Sequence, residues 1–319
     1  MEKSIAGLHH VTAIASDPQR NLDFYAGLLG MRLVKRTINF DDPGTYHFYF
    51  GDARGTPGTI LTFFPWPGAR RGARGIGEVT ATAFTVSAAS VDYWLERLKE
   101  QHVSAERAPD RFGEEVIRFA DPDGMIIELV ATGGSDDVPA WTEGTVPPEY
   151  SLRGFHSVSA AIEGYERTAK LLTESFGYRL VREEGNRFRF AAQGGDGAGK
   201  LMDLVCTPDG RRTGGGAGSV HHIAFRAESD ADQLAWRTEI VRLGYNVSPV
   251  MDRTYFRSIY FREPGGVLFE IATDPPGFTV DESAQELGAH LCLPPWMEKA
   301  RAQIQEILPP IRLPTKAGG

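Results

Sequence analysis

The stretch "SVHHIAF", residues 219–225, repeats a pattern that first occurs in "LHHVTAI", residues 8–14. Each stretch places two adjacent histidines inside a short apolar run, and short apolar runs are typical of buried strands. Because side chains alternate across a strand, the two histidines of each pair face opposite ways. One histidine of each pair can therefore enter a shared cavity.

The pattern belongs to a loose repeat that occurs four times. Each unit runs as a short strand, an amphipathic helix and three further strands. The first unit begins at "LHHVTAIA" and continues with "PQRNLDFYAGLLG", where Pro18 lies in the first helical turn and Gly30 ends the helix. The other units begin at "VTATAFTV", "GFHSVSAAI" and "SVHHIAFRA". The fold class predicted is α+β, built from four βαβββ modules, here numbered one to four.

Composition shifts divide the chain into domains. Residues 133–150, "GGSDDVPAWTEGTVPPEY", are rich in Gly, Pro and acidic residues and lack periodicity, which is typical of a linker. We predict an N-terminal domain over residues 1–132 with modules one and two, and a C-terminal domain over residues 151–275 with modules three and four. Residues 276–319 form a proline-bounded tail in which "WMEKARAQIQEIL" predicts one helix.

The bulk composition excludes several classes of protein. The 319 residues carry a formal net charge of -8 and 41% hydrophobic residues, and basic residues occur only in small clusters, so a nucleic-acid partner is not expected. No apolar run reaches the roughly 18 residues of a membrane helix, and no signal peptide precedes the first strand. Cys206 and Cys292 are too few for a disulfide framework. We expect a cytoplasmic protein without a membrane partner.

Superposing the modules shows which of them carry a histidine or a glutamate at equivalent positions. The closing strands match Glu270 in "GGVLFEIA" with Glu128 in "DGMIIELV", and the opening strands match His10 with Ser157 and His222 with Ala81. Modules one and four therefore hold the set that combines two histidines with one glutamate.

The set His10, His222 and Glu270 has a chemical interpretation. Two imidazoles and one carboxylate from separate strands form the facial triad that leaves coordination positions open on a divalent metal. A buried Glu is rare unless it is paired or bound to metal, and this Glu lies in an apolar run. We therefore predict one metal site, whereas His47, His102, His156 and His290 are interpreted as structural.

These motifs resemble the vicinal oxygen chelate superfamily, and within it the ring-cleaving hydroquinone dioxygenases. The resemblance is carried by "GLHHVTAIASDPQRNLDFYAGLLGMRLVKRTINFDDPGTYHFYFGD", "SVHHIAFRA" and "DRTYFRSIYFREPGGVLFEIATD". It implies that the modules form cupped, barrel-like mixed sheets around the metal. It also implies Fe(II), with Mn(II) as the alternative, and an extradiol-type reaction that inserts both atoms of O2 into a small aromatic diol; a homo-oligomer is left open.

The resemblance further implies a set of catalytic residues around the metal, namely His9, Thr12, His221, Arg253 and Tyr260. Thr12 lies two positions from His10 on the same strand face. Tyr260 follows independently from the turn "EPGG": a three-residue loop places it opposite Glu270, whereas a two-residue loop would place Ile259 there.

Two other functions fit the same fold. A metal-dependent isomerase or lyase of glyoxalase type would use the metal without oxygen, but such enzymes commonly carry a second glutamate ligand, and "TILTFFPW" of module one is uncharged. A non-catalytic protein that binds or sequesters aromatic compounds would usually need no metal. For the module pair that lost its histidines, we predict a metal-free cavity closed by an ion pair between Arg118 and Glu128.

Overall fold

The computed structural model describes residues 4–133, 138–195 and 197–313. The predicted linker and tail each include residues outside these ranges. Within the described residues, the α+β class and the four βαβββ modules are confirmed. The sixteen strands are β1 Leu8–Ala15, β2 Arg32–Asn39, β3 Asp42–Gly51, β4 Ile60–Pro65, β5 Glu78–Ser87, β6 Ala105–Arg111, β7 Glu114–Ala120, β8 Ile126–Thr132, β9 Phe155–Ile162, β10 Arg179–Glu184, β11 Arg187–Ala191, β12 Leu201–Cys206, β13 Val220–Ala227, β14 Met251–Asp252, β15 Arg257–Arg262 and β16 Leu268–Thr273.

Each module carries one helix after its first strand. The helices are α1 Pro18–Leu22, α2 Val91–Glu100, α3 Glu166–Lys170 and α4 Asp230–Arg242, and α5 Arg301–Ile307 lies in the tail. The first and third continue as π-helical segments, Asp23–Leu28 and Leu171–Ser175. Asp17 caps α1 by accepting a hydrogen bond from the Arg20 N–H, and Pro18 follows it in the first turn, where its missing N–H costs nothing.

The strands form two cupped eight-stranded sheets. In the first sheet the order is β14-β15-β16-β13-β1-β4-β3-β2, and in the second it is β10-β11-β12-β9-β5-β8-β7-β6. Modules one and four therefore share the first sheet, and modules two and three share the second. We call the concave faces of these sheets the first cup and the second cup.

Sheet pairing crosses the predicted linker. The central strands β1 and β13 pair antiparallel across the first sheet, and β5 and β9 do the same in the second. Each sheet thus joins one module from residues 1–132 with one from residues 151–275. The division of the chain into those two domains stays a prediction, because a sheet made from both halves is compatible with more than one way of assigning domains.

The tail runs back along β2, the edge strand of the first sheet. Leu291 forms a parallel bridge with Arg36, and the Cys292 N–H donates to the Arg36 carbonyl. Farther along, Ile304 of α5 is buried, so the predicted tail helix is present and packs on the body. No helix among the described residues is long and apolar enough to cross a membrane.

Candidate metal centre

Three side chains from three neighbouring strands converge in the first cup. His10 lies on β1, His222 on β13 and Glu270 on β16. His10 Nε2 is 3.3 Å from His222 Nε2, and Glu270 Oε2 is 2.8 Å from the His222 nitrogen and 3.4 Å from the His10 nitrogen. Two ligand atoms about 2.0–2.2 Å from one ion and at right angles to each other are about 3 Å apart. The three atoms therefore have the spacing of a set that could hold one divalent ion.

The surroundings of Glu270 fit a cation. The side chain is fully buried, and Oε1 accepts a hydrogen bond of 2.5 Å from Ser258 Oγ, whereas Oε2 has no hydrogen bond of acceptable geometry among the described residues. A buried carboxylate oxygen without a donor is costly. An ion between this oxygen and the two histidine nitrogens would satisfy it.

The protonation states of the cluster suit metal ligands. Burial lowers the pKa of His222, although the adjacent Glu270 raises it, so the ring is neutral and offers a lone pair. Burial raises the pKa of Glu270, but the neighbouring His10 and His222 outweigh this effect and hold that pKa well below its usual range. An ionised carboxylate beside two imidazole rings is the donor set of the 2-His-1-carboxylate sites.

The second histidine of each pair contacts the first. His9 Nδ1 is 2.9 Å from His10 Nδ1, and His221 Nδ1 is 2.8 Å from His222 Nδ1. His9 is buried, and burial lowers the pKa of its ring well below the usual value. His221 is exposed on the wall of the cavity. The strand alternation therefore places one histidine of each pair in the cluster and the other beside it.

Tyr260 and Arg253 form a second polar group next to the cluster. Tyr260 pairs with Glu270 across β15 and β16, as the three-residue loop predicts. Burial and the carboxylate of Glu270 raise the pKa of Tyr260, so the phenol keeps its proton. The Arg253 guanidinium carbon lies 5.7 Å from the centroid of the Tyr260 ring, and Arg253 Nη1 lies 3.1 Å from Asp41 Oδ2. Burial lowers the pKa of Arg253, but Tyr260 and Asp41 outweigh burial and raise it, so the guanidinium remains charged.

A cavity of about 320 Å³ opens onto these side chains. Its size lies at the small end of the range for ligand sites. Rings of Phe40, Phe64, Trp66 and Phe256 line it, together with Tyr49, Tyr260 and Leu268; its polar lining consists of His10, Thr12, Asn39, Asp41, His47, His221, His222 and Arg253. Of the predicted residues, His9 and Glu270 lie outside this lining.

Sequence reasoning missed His47, which it interpreted as structural. The ring lines the cavity and bonds Thr62 Oγ1 and the Tyr49 hydroxyl, each at 2.9 Å. Ser258, the hydrogen-bond donor to Glu270, was also missed. Both residues lie two positions from a tyrosine that points into the cup, so strand alternation could have identified them.

The two halves of the first sheet repeat one register. In module four, Ala224 is two positions after the histidine ligand, and its partner on β16 is Glu270. In module one, Thr12 is two positions after the histidine ligand, and its partner on β4 is Thr62. Thr62 therefore stands at the position that Glu270 occupies in the other half.

The second cup has carboxylates at the positions equivalent to Glu270 and Thr62. It has no histidine at the positions equivalent to His10 and His222. Its Glu128 pairs with Ala83 and its Asp203 pairs with Ser159. Arg118 stands opposite Glu128 in register, as predicted. The predicted ion pair is present but is not the closest one: Arg118 Nε is 3.9 Å from Glu128 Oε1 and its side chain is 44% exposed, whereas Arg111 Nη2, from the end of β6, is 2.8 Å from Glu128 Oε2.

The remaining carboxylate of the second cup is also paired with arginine. Asp203 is held by Arg189 at 2.7 Å and Arg187 at 2.9 Å. Among the described residues, the clusters with metal-ligand spacing are the one in the first cup and the group Asp281, Glu282 and Cys292. Lys35 Nζ lies 2.5 Å from both carboxylates of that second group, so it already contains its cation.

Comparison with known proteins identifies the family. The model of the Glyoxalase/Bleomycin resistance protein/Dioxygenase superfamily matches residues 7–129 and 154–271. The chain belongs to this superfamily. The resemblance inferred from the histidine repeats is thereby confirmed.

Two relatives within the superfamily match nearly the whole chain. MhqO of Bacillus subtilis, named provisionally as a ring-cleaving dioxygenase, is 47% identical over 313 residues, which cover 98% of this chain and 99% of that protein. The chlorohydroquinone/hydroquinone 1,2-dioxygenase of Sphingobium indicum is 34% identical over 311 residues, which cover 95% of this chain and 96% of that protein.

Solved structures agree with the fold. The crystal structure of a provisionally assigned dioxygenase from Bacillus subtilis has a TM-score of 0.93 at 47% identity and covers 98% of this chain and 99% of its own. Glyoxalase I from Zea mays has a TM-score of 0.62 at 16% identity and covers 84% of this chain and 92% of its own. The second similarity extends to the fold alone.

Proposed function

We propose that the chain is a non-heme Fe(II)-dependent, extradiol-type dioxygenase that cleaves the ring of a hydroquinone-type diol and inserts both atoms of O2. The observation that carries the proposal is the buried Glu270 Oε2, which has no hydrogen bond of acceptable geometry within the described part of the chain. It faces the nitrogens of His10 and His222, and these two residues line a small aromatic cavity. Named relatives support the reaction class, since one of them is a hydroquinone 1,2-dioxygenase. Mn(II) is the alternative metal, and the two free cysteines are consistent with a cytoplasmic location.

His10, His222 and Glu270 would hold the iron. When bound, Fe(II) would supply open coordination positions and redox chemistry for the reaction of a phenol with O2. Only one oxygen of a hydroquinone can reach the metal, because its hydroxyls lie across the ring from each other. Protein groups in the cavity must therefore orient the rest of the substrate.

His9 would fix the tautomer of His10. His10 can bind a metal through Nε2 only when its ring proton is on Nδ1, and His9 Nδ1, 2.9 Å away, is within reach to accept a hydrogen bond from it. His221 Nδ1 stands in the same relation to His222 Nδ1, at 2.8 Å.

Tyr260 and Arg253 would act on the substrate. The Tyr260 phenol, protonated and adjacent to Glu270 across the sheet, can donate a hydrogen bond or a proton to oxygen in the cavity. The Arg253 guanidinium faces the same space and remains positive. Arg253 therefore can stabilise negative charge that develops on the substrate during ring cleavage.

Thr62 argues against the isomerase alternative. Glyoxalase-type isomerases commonly use a second glutamate, and the position equivalent to Glu270 in module one is held here by a neutral hydroxyl. A binding protein without turnover is disfavoured by the intact three-residue cluster. Oxygen consumption distinguishes the proposed reaction from both alternatives, because neither of them would consume O2.

The test uses anaerobically iron-loaded protein in an oxygen electrode. We expect unsubstituted, methyl- and chlorohydroquinone to be consumed with uptake of one O2 per ring and faster than catechol. With 18O2, both labelled atoms should appear in the ring-opened product. Anaerobic isomerisation of a thiol adduct, or binding of hydroquinone without oxygen uptake, would contradict the proposal.

A further inference from the structure

A chain of four hydrogen-bonding side chains lies along one wall of the first cup. The Tyr49 hydroxyl is 2.9 Å from His47 Nδ1, and His47 Nε2 is 2.9 Å from Thr62 Oγ1. Thr62 Oγ1 is in turn 2.9 Å from Thr12 Oγ1. Tyr49, Thr62 and Thr12 are buried, and Thr12, His47 and Tyr49 line the substrate cavity.

Counting protons gives this chain a direction. Burial raises the pKa of Tyr49 well above its usual range, so the phenol keeps its one proton, and His47 Nδ1 is its partner among the described residues. Burial lowers the pKa of His47 well below its usual value, so the ring carries a single proton. Because Nδ1 accepts from Tyr49, that proton is on Nε2 and is donated to Thr62.

The direction continues to the cavity. With its lone pair engaged by His47, Thr62 donates its own proton to Thr12 Oγ1. The Thr12 proton then has no acceptor among the described side chains, and Thr12 borders the cavity two residues from His10. Because Thr12 Oγ1 already accepts a hydrogen bond from Thr62, the hydrogen of the Thr12 hydroxyl is available to an acceptor atom of a ligand in the cavity.

Modules three and four use the same positions for the same task. Tyr49 pairs with Thr62 as Tyr260 pairs with Glu270. In the second cup, Arg189 pairs with Asp203, and Arg187, two positions earlier, also bonds that carboxylate. These two arginines hold the positions of Tyr49 and His47. Residues at these positions thus satisfy the polar group on the neighbouring strand in both cups.

We infer that His47, Tyr49 and Thr62 are positioning residues that hold the Thr12 hydroxyl as a hydrogen-bond donor toward a substrate oxygen. The inference deepens the proposed function, on which it rests for the identity of the substrate. It assigns no proton transfer to His47, which acts as a neutral link. It explains why a histidine, which can accept at one nitrogen and donate at the other, lies between a phenol and a threonine.

The first experiment reads the tautomer of His47 without metal or substrate. In 15N-histidine-labelled, metal-free protein, two-bond 1H–15N correlation spectra should show His47 as the neutral Nε2–H form, assigned by its loss in His47→Gln. Tyr49→Phe removes the donor to Nδ1 and should shift His47 toward the Nδ1–H form. Tyr46→Phe is the matched control, because Tyr46 on the same strand bonds the Pro309 carbonyl instead, and it should leave the His47 signal unchanged.

The second experiment measures anaerobic binding of hydroquinone to the iron-loaded protein. Loss of one oriented neutral hydrogen bond should weaken binding about 2- to 12-fold in Tyr49→Phe and Thr62→Val, and Thr62→Ser should restore it. An unchanged tautomer in Tyr49→Phe, or wild-type binding by Thr62→Val, would overturn the inference. Because the tautomer is read without iron or substrate, failure of the proposed function would leave that first result standing.

Discussion

Glu270 and Thr62 show how one residue changes the chemistry of an internal repeat. The two side chains occupy equivalent positions on β16 and β4, yet the first is a buried carboxylate and the second a neutral hydroxyl. A carboxylate in place of Thr62 would be a fourth ligand and would occupy a coordination position that the proposed reaction needs for substrate or O2. Thr62 leaves that position open, and its hydroxyl bonds His47 instead.

Replacing His222 by Ala tests the metal cluster at the residue scale. The variant loses one of the two imidazoles, so it should lose tightly bound iron and oxygen uptake while remaining folded. His156→Ala is the matched control, because His156 lies on β9, the strand of the second cup equivalent to β1, and contacts Glu114 at 3.2 Å. That control should keep about one iron per chain by metal analysis. Retention of one tightly held iron by His222→Ala would exclude the proposed site.

The ligand set could be predicted from the sequence, but its surroundings could be predicted only in part. His10, His222 and Glu270 stand out because charged or polar residues in apolar strands need a partner. His47 and Ser258 lie in strands of mixed polarity, where a polar residue needs no special explanation. Their roles depend on which strand lies next to which, and that is a property of the sheet order.

At the scale of elements, the tail protects an exposed sheet edge. β2 is the last strand of the first sheet, and an open edge invites pairing with another chain. Residues of the tail cover it through the bridge between Arg36 and Leu291. The fully buried Lys35 of β2 secures the tail by bonding Asp281 and Glu282, each at 2.5 Å.

Lys35→Met should therefore release part of the tail. The change leaves two neighbouring carboxylates without their cation. Removing one partner of a buried ion pair typically lowers the free energy of unfolding by about 3–5 kcal/mol. Because Asp281 is partly exposed, we expect a decrease at the lower end of this range. Urea unfolding of metal-free protein measures the free energy, and limited proteolysis should cut the tail faster. Adding Asp281→Asn and Glu282→Gln should recover part of the loss. A silent Lys35→Met would show that the tail is held by its apolar contacts alone.

The elements themselves were more predictable than this attachment. The tail helix and the repeated strand-helix order follow from periodicity, which is local along the chain. The docking of the tail on β2 depends on Lys35 meeting acidic residues more than 240 positions away, and no local pattern encodes that contact. The same reason explains Arg118: its register opposite Glu128 follows from the turn, whereas the closer Arg111 comes from another strand.

At the scale of the whole molecule, the two cups differ in what neutralises their carboxylates. The first cup contains the candidate metal cluster, whereas the carboxylates of the second cup are paired with arginines. The register of β5 with β9 repeats that of β1 with β13: Ser157 pairs with Ala83 as His10 pairs with Ala224. Where the first cup has two histidines around its carboxylate, the second has small residues. The charge of its carboxylates is balanced by arginines, which require no metal.

A double-mutant cycle on Arg111 and Glu128 tests whether arginine neutralises the carboxylate of the second cup. The two side chains lie 2.8 Å apart and are both buried. Arg111→Leu leaves a buried carboxylate whose nearest remaining arginine is half-exposed, so it should destabilise metal-free protein in urea by about 3–5 kcal/mol. Adding Glu128→Leu removes the unpaired charge and should recover most of that loss. All three variants should retain one iron per chain and wild-type oxygen uptake, because the first cup is untouched. A second metal in wild-type protein, or a double variant as unstable as Arg111→Leu, would refute an arginine-closed second cup.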